Sequence, residues 1–210
     1  MNRKPRAKRV YAGASAPERA RERRESLLSA GLDIIGRKGY KAATVRAICT
    51  EAGLTQRYYY EAFADAEEML IEIYQRQLAK VESQLIQAAF SPGSISEKPH
   101  QVLLAFLALL ESDPRIGRVI FFEILGVSAR VDKVYIAGSE KFVGLITAAL
   151  IPFVNKLSRP LDAEIIARAA VGAVINVAGF WQLNGFKPDK KKIADNIAGV
   201  ISVLGEKLAV

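Results

Sequence analysis

The residues best suited to chemistry lie in TVRAICTEAGLTQRYYYEAF, positions 44–63. Gln56, Arg57, Tyr58 and Glu61 are hydrogen-bonding side chains that point away from the chain's core. Tyr59 and Phe63, one helical turn apart, point inward. Amide and guanidinium groups on one helix face match the donor and acceptor edges of bases in the DNA major groove. Two short helices held at a fixed angle would deliver such a face, as a helix-turn-helix. Thr44 caps the first of them, and Val45, Ile48 and Cys49 form its apolar side. Ala52-Gly53-Leu54 makes the turn, with Gly53 in the left-handed conformation and Leu54 returning to the core. Thr55 caps the second helix. A helical hairpin that only packs would share the length and the glycine. The polar outward face, the two hydroxyl caps and the local charge favour DNA.

That charge is unevenly placed. The 210-residue chain has a net charge of +8, yet residues 1–65 carry 14 Lys/Arg against 7 Asp/Glu, and residues 66–210 carry 16 against 15. The excess positive charge therefore sits with the helix-turn-helix, as a polyanion-binding end requires. Residues 1–14 read as a disordered basic arm, in which Arg3, Lys4 and Arg6 follow phosphates or enter the minor groove. The one cysteine, Cys49, excludes an internal disulfide and reads as a small buried filler. No secretory signal opens the chain, and the apolar stretches around 101–110 and 169–181 are too short for a membrane span. A cytoplasmic location with no membrane contact is expected.

The elements that must position this face are all helices. Ser15 and Glu18 have capping-box spacing and open a helix that stops at Gly39, its apolar face made by Leu27, Leu28, Gly31, Ile34 and Ile35. Its charged opening, ERARERRE, reads as solvated, with Arg19 and Arg23 within reach of phosphate. Asp65 and Glu68 repeat the capping box before a long helix over 66–90. Breakers at Ser91-Pro92-Gly93-Ser94, Asp113-Pro114, Gly126–Ser128, Arg159-Pro160 and Lys187-Pro188 divide the rest into helices over 98–111, 114–127, 130–157, 162–185 and 189–208. The fold class is all-α. The predicted organisation is an arm over 1–14, a three-helix helix-turn-helix DNA-binding domain over 15–64, and a C-terminal helical ligand-binding and dimerisation domain over 65–210.

With caps, turn and helix order in place, the chain resembles the TetR family of bacterial transcriptional regulators. The likeness is strongest from Leu27 to Leu70 and is carried by Leu27-Leu28, Ala30, Leu32, Gly39-Tyr40, Thr44-Val45, Ile48, Ala52-Gly53-Leu54-Thr55, Tyr60, Phe63 and Glu67-Glu68. DPRIGRVIFFEILGV resembles a stretch common in one subgroup. The resemblance implies a homodimer that reads a palindromic operator in double-stranded DNA, most often as a repressor. Ligand would change the spacing of the two reading heads and release them. By position it implies that Thr44 and Arg46 touch phosphate, that Gln56, Arg57 and Tyr58 read bases, that Tyr60 bonds phosphate and that Thr55 caps the reading helix. Several positions depart from the family pattern: Arg57 stands where a small residue is usual, Ala66 where a phosphate-binding Lys is, and Tyr59 where Leu is, with Ile35 for Phe and Cys49 for Ala as mild core swaps.

In the second half, Phe106, Phe121, Phe122, Leu125, Tyr135, Phe142, Asn176, Phe180 and Trp181 are the candidate lining of a pocket for a small hydrophobic ligand. Glu123 and Gln182 interrupt apolar faces there. Aromatics at helical spacing serve a core equally well. The small and apolar residues of ARAAVGAVINVAGFW place the dimer interface on helices 162–185 and 189–208. A sequence-tolerant architectural DNA-binding protein is the alternative, supported by the basic arm and opposed by the capped reading helix. Catalysis finds no support: His100 is the lone histidine, and no metal-ligand cluster, phosphate loop or activated nucleophile stands out. No cofactor is expected.

Overall fold

A computed structural model describes residues 15–94, 97–154 and 161–208. The basic arm, with Arg3, Lys4 and Arg6, and the breaker at Arg159-Pro160 lie outside the described residues. The helices begin where side chains can satisfy orphan backbone donors. Ser15 Oγ accepts from Glu18 N at 3.3 Å while Glu18 accepts from Ser15 N at 2.5 Å, which starts α1 (Ala16–Lys38). Thr44 Oγ1 accepts from Ala47 N at 3.2 Å and starts α2 (Val45–Glu51). Thr55 stands at the N-cap of α3 (Gln56–Ala62) but its hydroxyl makes no capping bond, contrary to the expected cap. Asp65 accepts from Glu68 N at 2.7 Å and starts α4 (Ala66–Ala89). That bond, with help from Arg130, holds the Asp65 carboxyl below the usual range.

The remaining helices are α5 (Lys98–Ser112), α6 (Pro114–Arg118), α7 (Ala129–Val154), α8 (Ala163–Leu183) and α9 (Lys190–Leu208). The helix expected over 114–127 is broken: α6 passes into a π-helical turn, Val119–Glu123. There is no strand among the described residues. The caps expected for the last two helices are present, with Asp162 accepting from Glu164 N and Ile165 N and Asp189 from Lys191 N.

One buried cluster runs from Leu27 and Ile35 of α1 through Met69, Ile73 and Tyr74 of α4 to Leu107, Ile116, Trp181 and Ala194. It crosses the boundary expected at residue 65 without a gap, so helix-turn-helix and C-terminal helices share apolar packing. Three polar ties join them as well. Arg115 of α6 bonds Asp33 of α1 at 2.6 Å, Arg76 of α4 bonds Glu25 of α1 at 2.5 and 2.7 Å, and Glu123 accepts from Tyr40 N at 2.7 Å. Gly36 permits the close approach of α6, because a Cβ there would lie 2.5 Å from Arg115 Cγ and 3.1 Å from its Cα.

Helix α8 is, by length and composition, long and apolar enough to cross a membrane, with a mean hydropathy of 1.5 in its most apolar window. This revises the expectation drawn from 169–181 alone. The helix packs along α7 and carries Arg168, which bonds Glu140 at 2.5 Å and Glu164 at 2.8 Å. Its exposed stripe is Ile165, Ala169, Gly172, Asn176, Phe180 and Leu183, residues three or four apart on one face.

The close approach at Gly36 sets up a contrast. Gly36→Ala should lose about 1–3 kcal/mol by overpacking against α6. Gly144→Ala on the open side of α7, where nothing lies within 4 Å, should gain about 0.5–1 kcal/mol by helix propensity. Urea denaturation of both variants gives the comparison; equal effects would mean that α6 does not rest on Gly36.

Candidate nucleic-acid interface

The turn between α2 and α3 is built as the glycine requires. Gly53 has φ +64°, Leu54 N donates to Cys49 O at 2.9 Å and Gly53 N to Thr50 O at 3.2 Å. This is the paired bonding of a Schellman motif, which closes α2 and turns the chain into α3. Tyr59 and Phe63 anchor α3 from behind at 0% and 1% exposure, their rings 5.6 Å apart. Burial pushes the Tyr59 phenol up to about 12. Cys49 is buried beside them and its thiol is raised for the same reason.

Seven of the ten predicted DNA-contacting residues fall among the described residues. Thr44, Arg46, Thr55, Gln56, Arg57 and Tyr60 are all exposed. Tyr60 is 61% exposed and stands edge-on to Tyr59 with 5.6 Å between centroids, so the buried ring directs the exposed one. The Arg57 side chain is 83% exposed. It bonds Glu61 at 2.8 Å, which raises the guanidinium further above its ordinary range. Such an exposed i, i+4 pair is weak and salt-screened, and it leaves the other donors of the fork available. Lys38, Thr44 and Arg46 line one open, shallow concavity at the start of α2. Lys38 was not anticipated there; its place at the end of α1, next to the Gly39 turn, is the signal.

Tyr58 departs from expectation. It is half-buried, and the Arg23 guanidinium of α1 lies over its ring at 4.3 Å. Arg23 is thus engaged with the reading helix. The charged opening of α1 is not uniformly solvated either: Arg24 donates to Ala62 O at 2.8 Å, pairs with Glu72 and lies over the Phe63 ring at 4.3 Å.

The predicted pocket residues divide into groups. Phe106 packs on Phe121, and Phe121 on Phe122, as T-shaped pairs at 6.3 and 6.0 Å. Tyr135 meets Tyr74, and Phe142 joins Val143, Ala167 and Val171. Trp181 is core, donating to Pro188 O at 2.6 Å. Leu125, Asn176 and Phe180 lie exposed on the subunit surface. Glu123 does not face the aromatic residues. It accepts from Tyr40 N at 2.7 Å and pairs with Arg118 at 2.6 Å, gripping the turn between α1 and α2. Gln182 ties α8 to the start of α6 through Pro114 O, at 2.7 Å. His100 links α5 to α9 by a 2.7 Å contact with Asp195.

An exposed, rigidly backed helix that follows a Schellman turn and stands beside a positive flank has the form of a helix-turn-helix DNA-binding element. Residues 27–73 match the family model of the bacterial regulatory proteins of the tetR family, and this match supports a transcriptional regulator of the TetR type. The HTH-type transcriptional activator FasR of Mycolicibacterium smegmatis is 26% identical over 176 residues, covering 82% of this chain and 78% of that protein. The fatty acid metabolism regulator protein of Bacillus subtilis is 18% identical over 175 residues, covering 81% and 89%. Among solved structures, FadR from Bacillus subtilis in complex with stearoyl-CoA superposes with a TM-score of 0.73 at 16% identity, covering 84% of this chain and 96% of that one. That last likeness concerns the fold. The family and these relatives are regulators rather than enzymes.

Two exposed side chains test the face. Tyr60→Phe should weaken DNA binding broadly, roughly tenfold, if the hydroxyl bonds a phosphate. Arg57→Ala should either relax one operator position or lower the salt slope by about 1. Both should melt like the wild type. Unchanged binding in both, followed by fluorescence anisotropy, would place the reading surface elsewhere.

Proposed function

We propose that this chain is a sequence-specific transcriptional repressor that binds a palindromic operator as a homodimer and is released by a small hydrophobic ligand. The observation that carries it is the outward face of α3, where Gln56 and Arg57 stand exposed beside the phosphate-binding types Thr44, Arg46 and Tyr60. Residues 15–64 form the DNA-binding domain, 65–210 the ligand-binding and dimerisation domain, and the arm with Arg3, Lys4 and Arg6 adds phosphate contacts. A cytoplasmic protein without membrane contact fits this role. Similarity to an activator favours one variation, in which the bound dimer promotes transcription instead.

The dimer uses α8 and α9. The α8 stripe places Phe180 at 67%, Ile165 at 67% and Leu183 at 63% exposure on one face, and Val200 of α9 adds another apolar group. A second copy of the same face covers them by two-fold symmetry. Each reading helix then meets one half-site of the operator.

The ligand acts on the aromatic residues around Phe106, Phe121 and Phe122, backed by Gly179, where an added Cβ would lie 3.4 Å from Phe122 Cζ. These rings are packed together, so a ligand must part them. Phe121 and Phe122 share the π-helical turn with Glu123, whose carboxylate holds Tyr40 N. A shift of that turn is felt at the turn between α1 and α2. A stearoyl-CoA complex of a similar fold, and relatives named for fatty acid metabolism, make a long-chain acyl thioester the first ligand to try.

Selection from random duplex DNA should recover a two-fold symmetric motif, with affinity falling steeply as salt rises; binding without a motif would favour the architectural alternative. Palmitoyl-CoA, but not free coenzyme A, should then release the labelled operator. Phe180→Asp should yield a folded monomer by light scattering, with operator affinity reduced far more than bulk DNA affinity. A dimeric Phe180→Asp variant would move the interface off α8.

A further inference from the structure

We propose that Arg24 is a positioning residue for base reading, fixing the recognition helix α3 against α1 and α4 without touching DNA itself. This rests on the DNA-binding role of α3 proposed above. Arg24 leaves α1 on the face that also carries Leu27, Leu28 and Gly31, so its stem runs along the core and its head emerges at the end of α3. There the guanidinium makes three contacts at once. Nη1 donates to Ala62 O at 2.8 Å, satisfying a last-turn carbonyl that has no intrahelical partner. The flat face lies 4.3 Å from the Phe63 ring centroid. Nη2 pairs with Glu72 of α4.

Glu72 extends the contact into a network. Its other oxygen accepts from Arg76 at 2.8 and 3.1 Å, and the Arg76 fork holds Glu25 of α1 at 2.5 and 2.7 Å. Four alternating charges, two on α1 and two on α4, thus close on each other, and Arg24 carries the network on to α3. The start of α3 has no side-chain cap, since the Thr55 hydroxyl makes no capping bond. Tyr59 and Phe63 hold the two-turn helix from behind, and its tilt is set by the Gly53 turn before it, by Arg23 over Tyr58 and by Arg24 at its end. A planar fork is required, because a lysine ammonium can supply the charge but not the stacked face with two diverging donors.

The test uses the full-length chain and the sequence it selects from random DNA, with specific and bulk affinities measured for each variant. Arg24→Lys keeps the charge, so bulk affinity and salt slope should stay as in wild type while specific affinity falls roughly tenfold. Glu72→Gln removes a negative charge, so simple electrostatics predicts tighter binding to any DNA. Positioning predicts a lower ratio of specific to bulk affinity instead. Both are measured at a temperature where circular dichroism shows full helicity, and if Arg24→Lys does not fold there, Glu72→Gln carries the comparison. An unchanged ratio overturns the proposal. So does a parallel loss of both affinities in Arg24→Gln with a salt slope lower by about 1, the mark of a direct phosphate contact. A wild-type chain that selects no motif overturns the DNA-reading role, and this inference with it.

Discussion

A helix of seven residues does not hold its shape in water, because nucleation consumes most of what so few hydrogen bonds return. Everything the interface does therefore depends on what grips α3 from outside its polar face. Tyr59 and Phe63 supply the apolar grip at essentially complete burial. Burying each aromatic ring is worth about 1.5–3 kcal/mol, enough to fix a helix of two turns but not to choose its tilt. Direction comes from polar groups with defined geometry: the Gly53 turn at one end, Arg24 at the other, and Arg23 over Tyr58 on the flank.

The same economy governs the link between the halves of the chain. The buried cluster is continuous from α1 to α9, so the reading head is not a bead on a string. Arg115 on Asp33, Arg76 on Glu25 and Glu123 on Tyr40 N then join specific points of the two halves. A π-helical turn carries one more residue than the α-helical arrangement would, and such turns recur at functional sites. Here it places Phe121 toward the interior and Glu123 toward the head. The interior rings and the carboxylate that holds Tyr40 N thus share one turn of the chain.

Local chemistry was legible in the sequence and long-range chemistry was not. Ser15 with Glu18, Asp65 with Glu68, and Asp162 satisfy donors two or three residues away, so spacing alone located three helix starts. The inward pair Tyr59 and Phe63 followed from helical periodicity. Thr55 has the right type and place for a cap but makes no bond, because a residue's preference does not fix its rotamer. Glu123 and Tyr40 are 83 positions apart and Arg24 and Glu72 are 48 apart, distances over which a single sequence carries no pairing signal. Arg24 did leave one trace, since it precedes Leu27 and Leu28 by three and four residues and so shares their buried face. The aromatic residues of the second half could not be apportioned, because core, interface and ligand contacts ask for the same side chains. The structure places Trp181 in the core and Phe180 on the surface although they are neighbours in the chain.

The central claim is that α3 reads bases through its outward side chains. Binding-site selection from random duplex DNA with Gln56→Ala beside the wild type tests it most directly, because Gln56 is exposed and opens the helix without supporting the fold. The account predicts the same two-fold symmetric motif in both, with information lost at one matched position in each half-site of the variant. An identical motif from the two proteins would contradict it, and the reading surface would have to be sought elsewhere on the molecule.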